Sequence, residues 1–191
     1  MKVRQSLVYR DAQGYSWFPL IMSLKSEIKN WFTHIQNRLP IADKVEAFAK
    51  SQLAKRGLAE DKLAYYGHSQ GGIVALETGL SGDKPVAAIV SFASSVVPLT
   101  KAKSKSKVFL QMGEHDNLFN IKLPQLPEQG FLKRTFGGAV QRISLNHSSS
   151  VQRLKDQNVP LTEKVYPHAG HMQDQGIWKD GVDFIAKAFK P

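Results

Sequence analysis

Asp61 to Leu80 reads DKLAYYGHSQGGIVALETGL. Its first part, DKLAYYG, is a short apolar run closed by glycine, the pattern of a buried strand. Its last part, QGGIVALETGL, has the spacing of a helix with Ile73, Val74 and Leu76 turned inward. Between them stands Ser69, with Gly67 two residues before it and Gly71 two residues after. A serine on a sharp strand-to-helix turn projects its hydroxyl above the sheet. Glycine at the flanking positions keeps side chains out of that turn. The N-terminus of the following helix favours negative charge developing beside the serine. An ordinary Gly-Ser turn has the same letters, so the reading depends on what the rest of the chain supplies.

On both sides of this unit, helices and strands alternate. NRLPIADKVEAFAKSQLAKRG, Asn37 to Gly57, reads as a helix that starts at Pro40 and ends at Gly57. Its apolar side is expected to hold Ile41, Val45, Phe48 and either Gln52 or Leu53. Val86–Phe92 and Val108–Met112 read as buried strands, Ser150–Val159 as a helix, and TEKVYPH as the last strand. DQGIWKDGVDFIAKAF closes the chain as an amphipathic helix with Trp178, Val182, Ile185 and Phe189 inward. Such alternation predicts an α/β fold, a mostly parallel sheet with helices on both faces. Functional groups then gather at the carboxyl ends of the strands. The expectation is a single domain over residues 1–191, with 119–145, rich in proline and glycine, as an insertion or lid-like excursion.

The chain has 191 residues, 42% hydrophobic and 22% charged, an ordinary globular composition with room for one sizeable core. No apolar run approaches the roughly 20 residues that a membrane-crossing helix needs. The start, MKVRQSLVYR, is basic but has no apolar core behind it and does not read as a signal peptide. The absence of cysteine excludes disulfides, thiolate catalysis and cysteine metal sites. A cytoplasmic location is the expectation. The net charge of +10 fits either an anionic partner or a solvated basic surface. TKAKSKSK, Thr100 to Lys107, carries four lysines and no aromatic residue for base stacking, and reads as a loop before a strand. No nucleic-acid partner is expected.

A lone serine is a weak nucleophile; it needs a base, and the base an orienting acid. When the serine sits on such an elbow, the chain order is serine, acid, histidine. VFLQMGEHDN puts Asp116 just past a buried strand, and KVYPHAGHMQDQ puts His168 and His171 just past the last one. Asp83, Glu114, Asp174 and Asp180 compete for the acid's place. Asp116 is best situated, because the turn MGEHD lets it point back over the sheet.

GHSQGG, MGEHDNL and VYPHAGHM, with YSWFPL at Tyr15–Leu20, resemble the phospholipase/carboxylesterase family of α/β-hydrolases, which includes acyl-protein thioesterases. The resemblance implies Ser69 as nucleophile, Asp116 as acid and His171 as base. His171 is preferred over His168 because the family carries its histidine after a glycine, as in AGHM. It further implies the Gln70 backbone N–H as an oxyanion donor, no metal and no organic cofactor. The implied substrate is a small-molecule carboxylic ester or acyl thioester; Trp17, Phe18, Leu20 and Ile21 fit either the lining of an acyl pocket or core packing. His68 and His115 are expected to be a variable elbow residue and a loop residue. The family pattern also has a His-Gly loop ahead of the Trp-Phe segment, which gives a second oxyanion donor. No His-Gly pair occurs here, so the fold is expected to be N-terminally shortened. Two other classes stay open: a weak or inactive hydrolase-fold remnant or binding protein, and a basic binder of nucleic acid or anionic membrane. These motifs leave the oligomeric state open.

Overall fold

A computed structural model of the chain describes residues 9–11, 14–16, 27–96, 101–116 and 147–190, with side-chain detail from Ile41 onward. Trp17, Phe18, Leu20 and Ile21, and the 119–145 excursion, lie outside the described residues. Two short strands, β1 (Tyr9–Asp11) and β2 (Gly14–Ser16), pair antiparallel. Helix α1 (Glu27–Ala54) and a 3-10 turn at Glu60–Lys62 lead to β3 (Ala64–His68). Then follow α2 (Gln70–Ser81), β4 (Ala88–Phe92), β5 (Val108–Gly113), α3 (His147–Asp156), β6 (Leu161–Tyr166) and α4 (Gln175–Ala188).

β3 to β6 form one parallel sheet in the order β3-β4-β5-β6. Every residue of β4 and β5 is buried, as expected of near-continuous apolar strands covered on both faces. The two-residue period of β5 separates the layers. Val108 and Leu110 pack with Leu76, Leu80, Ile89 and Leu154. Phe109 meets Phe184 of α4 at 5.1 Å, and Gln111 donates to the Ile177 carbonyl. Leu76, Leu80, Leu110 and Leu154 are almost fully excluded from water; truncating one to alanine costs about 2–5 kcal/mol.

The fold departs from the sequence reading in two places. Helix α1 begins at Glu27, with Pro40 inside it. A proline there removes one backbone donor and crowds the carbonyl four residues earlier, a cost that this helix bears rather than starting at the proline. The buried side of α1 holds Ile41, Ala42 and Leu53, and Phe48 is 59% exposed at the edge of that stripe. In α4 the inward face is Ile177 and Gly181, one residue ahead of the expected register, and Trp178 and Phe189 are exposed. The reason is close packing: a side chain at Gly181 would collide with the ring of Tyr66, so only glycine lets α4 lie against β3 there. The lysine-serine stretch is the expected loop before a strand, and it is closely fitted to the end of α2. Ser104 and Ser106 are buried, and Ser104 donates to the Gly79 carbonyl at 2.6 Å. The Lys103 and Ser104 amides donate to the Leu80 carbonyl. Carbonyls of the last turn of α2, which the helix itself leaves without partners, are satisfied in this way.

Candidate active site

The turn between β3 and α2 carries Ser69 at φ 54°, ψ −123°. A non-glycine residue in that region costs on the order of 1–3 kcal/mol and persists only where neighbours hold it. Here the Ser69 amide donates to the Phe92 carbonyl at 2.9 Å, and the Ile73 amide donates to the Ser69 carbonyl at 3.2 Å. The glycines are needed by contact. A Cβ on Gly67 would fall on the backbone of Gly71 and Gly72, and one on Gly72 would fall on the hydroxyls of Ser91 and Ser94. Gln70, the first residue of α2, is buried. Its N–H belongs to the first turn, where amides are not consumed by the helix ladder.

The other two groups come from later strand ends. Asp116 follows β5 and is fully buried; its amide donates to the Gly113 carbonyl at 3.1 Å. His171 follows β6 with its side chain 23% exposed. Its Nδ1 lies 3.0 Å from Asp116 Oδ2, and its Nε2 lies 3.0 Å from Ser69 Oγ. The two loops are fastened to each other. The Glu114 amide donates to the Tyr166 carbonyl and the His115 amide to the Ala169 carbonyl. A Cβ on Gly113 would strike the carbonyls of Ala169 and Gly170, so glycine there lets the histidine loop close down on the aspartate turn.

The remaining candidates stand elsewhere. His168 is exposed and pairs with Asp174 at 2.9 Å. Asp174 also accepts from the Ile177 amide at 2.8 Å, capping α4. That amide, first among the causes, holds the Asp174 carboxyl below its usual range. Asp180 accepts from Lys164 and Tyr166, and Lys164 holds its carboxyl low. Burial and the Asp180 hydrogen bond push the Tyr166 phenol well above its ordinary value. Asp83 pairs with Lys103 at 3.7 Å. His115 is exposed.

His68 has more than a variable residue's surroundings. Its ring stacks on Phe92 at 5.5 Å and leans against the His171 ring at 5.1 Å. Its Nε2 lies 2.7 Å from the His171 carbonyl oxygen. A carbonyl only accepts, so Nε2 carries the proton and His68 tethers the backbone of His171. Its place beside the serine was the only sequence signal for this. Gly113 had a better one, a glycine at the end of an apolar strand.

Chemically, an imidazole that donates from Nδ1 to a carboxylate presents an unprotonated Nε2 to a hydroxyl. Among the described residues no group of His, Asp and Glu is arranged to hold a metal ion. No described helix is long and apolar enough to cross a membrane. A serine on a strand-to-helix elbow above a parallel sheet, faced by histidine and aspartate from later strand ends, defines the α/β-hydrolase class. Within that class the chain belongs to the phospholipase/carboxylesterase family, whose model matches residues 4–187. No curated protein matches its sequence. Among solved structures, esterase PE8 is similar over 93% of this chain and 72% of its own, at 23% identity and TM-score 0.62. SOBER1 of Arabidopsis thaliana is similar over 81% of this chain and 66% of its own, at 17% identity and TM-score 0.59. A Bacillus cereus carboxylesterase is similar over 81% of this chain and 63% of its own, at 13% identity and TM-score 0.54. This chain therefore spans less than two thirds of the length of the last two. At these identities the likeness is one of fold.

Proposed function

We propose that the protein is a serine hydrolase that cleaves carboxylic esters or thioesters through an acyl-enzyme. The observation that carries this reading is the unbroken relay of hydrogen-bond contacts from Asp116 Oδ2 through His171 to Ser69 Oγ, 3.0 Å at each step. Membership in the phospholipase/carboxylesterase family supports the ester class.

In the reaction His171 Nε2 takes the Ser69 hydroxyl proton as Oγ attacks the acyl carbon. The carbonyl π electrons move to oxygen, and the Gln70 N–H, at the positive end of α2, stabilises the resulting oxyanion. Asp116 keeps the imidazole oriented and stabilises the imidazolium. Collapse breaks the bond to the leaving alkoxide or thiolate, which receives the proton from His171. Water then repeats the sequence on the acyl-serine: His171 takes its proton, the acid departs, and Ser69 recovers its hydrogen. Each preorganised oxyanion donor in such a site contributes about 10²–10³-fold in rate.

The test is hydrolysis of a series of p-nitrophenyl esters and an acyl-thioester by the chain and by Ser69→Ala. A Ser69-dependent rate is the expected result, and its dependence on acyl length defines the pocket. An equal rate for the variant sinks the proposal.

A further inference from the structure

The charge of the described residues is not spread evenly over their surface. All four strands of the parallel sheet start at one edge, and α2, α3 and α4 run back and end there. The segments at that edge are 55–62, 82–85, 101–107, 155–156 and 187–190. Together they carry eleven lysine and arginine residues against four acids. At the opposite edge, where Ser69 sits, the described residues 67–75, 92–96, 112–116, 147–150 and 166–178 hold no lysine or arginine and three acids. The described body is therefore a dipole along the strand direction.

The basic edge is continuous and built. The Ala87 amide donates to the Leu63 carbonyl, the Ile89 amide to Lys107 and the Val108 amide to Pro160, which ties the strand starts together. In 101–107 the buried hydroxyls of Ser104 and Ser106 bond to one another, and Ser106 also accepts from the Val86 amide. Every second residue is thereby pinned inward, and Lys101, Lys103, Lys105 and Lys107 stand outward as a comb. Lys62, Lys107 and Lys190 line one cleft of about 400 Å³ with Pro85, Val86 and Phe189. An adjoining cleft of about 570 Å³ adds Leu58 with Lys50 and Lys84, both near Glu60, which lines it with Asp61. Leu58 and Phe189 are large apolar side chains that stay 46% and 40% exposed in these clefts, whose lysines outnumber the carboxylates Glu60 and Asp61.

Helix-dipole stabilisation accounts for Lys155 and Lys187 in the last turns of α3 and α4. It does not account for the comb, because serine hydroxyls and backbone amides already satisfy the end of α2. We propose that this edge is a docking face for an anionic lipid bilayer. Lysine outnumbers arginine ten to one there, whereas nucleic-acid sites favour bidentate arginine and stacking aromatics. Lysines ringing exposed apolar side chains suit the headgroup boundary of an anionic surface, where each adds electrostatic attraction. Docked this way, the molecule holds the Ser69 edge away from the lipid, so the inference is independent of the hydrolase reading.

The test is flotation of the full chain with phosphatidylcholine vesicles, with and without phosphatidylserine, at low and high salt. The expected result is binding that requires phosphatidylserine and weakens with salt. The pair Lys107→Glu and Lys190→Glu should lower partitioning by about tenfold or more. The pair Lys44→Glu and Lys179→Glu, with the same charge change away from the edge, should lower it far less. Melting curves establish that both variants fold, and Lys107→Gln with Lys190→Gln replaces the first pair if it does not. Absence of phosphatidylserine-dependent binding by the parent overturns the proposal. So does an equal loss in both pairs, or tighter binding to duplex DNA than to the vesicles.

Discussion

Replacing Gly67 by alanine separates the elbow from an ordinary turn. The added methyl has no free volume: its nearest neighbours are the carbonyl oxygen and carbon of Gly71 and the nitrogen of Gly72, backbone atoms at the start of α2. They lie at 2.1–2.5 Å, where Cβ atoms essentially never come closer than 3.0 Å. Backbone in a helical turn cannot rotate aside as a side-chain tip can, so the first turn of α2 must shift as a body. Overpacking of this kind costs about 1–3 kcal/mol. For a chain of this size that lowers the melting temperature by about 2–12 °C. Ser69 moves with the turn, and a misplacement of about 1 Å costs about 10²-fold in turnover. Gly57→Ala is the contrasting control, a conformational cost without a clash. Gly57, unlike Gly67, has a left-handed backbone, φ 64°, and a Cβ there meets nothing within 4 Å. Its cost is conformational, about 1–2 kcal/mol, with no effect on the distant Ser69. The assay is ester turnover beside a thermal melt for both variants. If Gly67→Ala keeps turnover within twofold, or Gly57→Ala loses as much, the steric argument for the elbow fails.

Three further outcomes are expected. Asp116→Asn keeps the buried volume but removes the charge facing His171, and steady-state kinetics should show a loss of about 10⁴-fold in kcat; a loss under tenfold would contradict the assigned role. His68→Phe preserves the stack on Phe92 but removes the donor to the His171 carbonyl, so kcat should fall with KM little changed, and a variant that retains the donor, His68→Gln, should recover part of it. Burial holds the His147 imidazole below its ordinary value, against the opposing pull of Glu163 at 2.9 Å. The folded state then binds fewer protons than the unfolded state just below about pH 6.5. Stability should therefore be fully present above that pH and decline as the pH falls through the lowered folded-state value. Urea midpoints from pH 7.5 to 5 should fall more steeply for the parent than for His147→Gln, and parallel curves would refute this.

How much of the molecule the sequence disclosed depended on whether a residue's role is local. The strand, serine and helix around Ser69 were legible because the turn chemistry and both periodicities lie within one short stretch. The alternation that predicts a parallel sheet, and the turns that carry Asp116 and His171, were legible for the same reason. Roles that rest on contacts between distant segments were not. The packing face of α4 is set by Gly181 against Tyr66, and a hydrophobic pattern cannot register a glycine, so the face was read one residue late. The serines of the lysine-rich stretch look like low-complexity filler, because their partner, Gly79, lies in a helix more than twenty residues earlier. The tether from His68 to His171 spans 103 residues. No local rule finds such a bond. Phe48 was misplaced for a milder reason: it stands at the edge of an apolar stripe whose centre runs through Ile41, Ala42 and Leu53.

The hydrolase reading stands or falls on whether Ser69 is activated. That can be measured without knowing the substrate, by treating the folded chain with a fluorophosphonate and locating the adduct by intact-mass and peptide mass spectrometry. The reading predicts one adduct per chain, on Ser69, that is lost in Ser69→Ala and strongly slowed in Asp116→Asn. A chain that melts cooperatively and yet takes no label, or takes it on another residue, would contradict it.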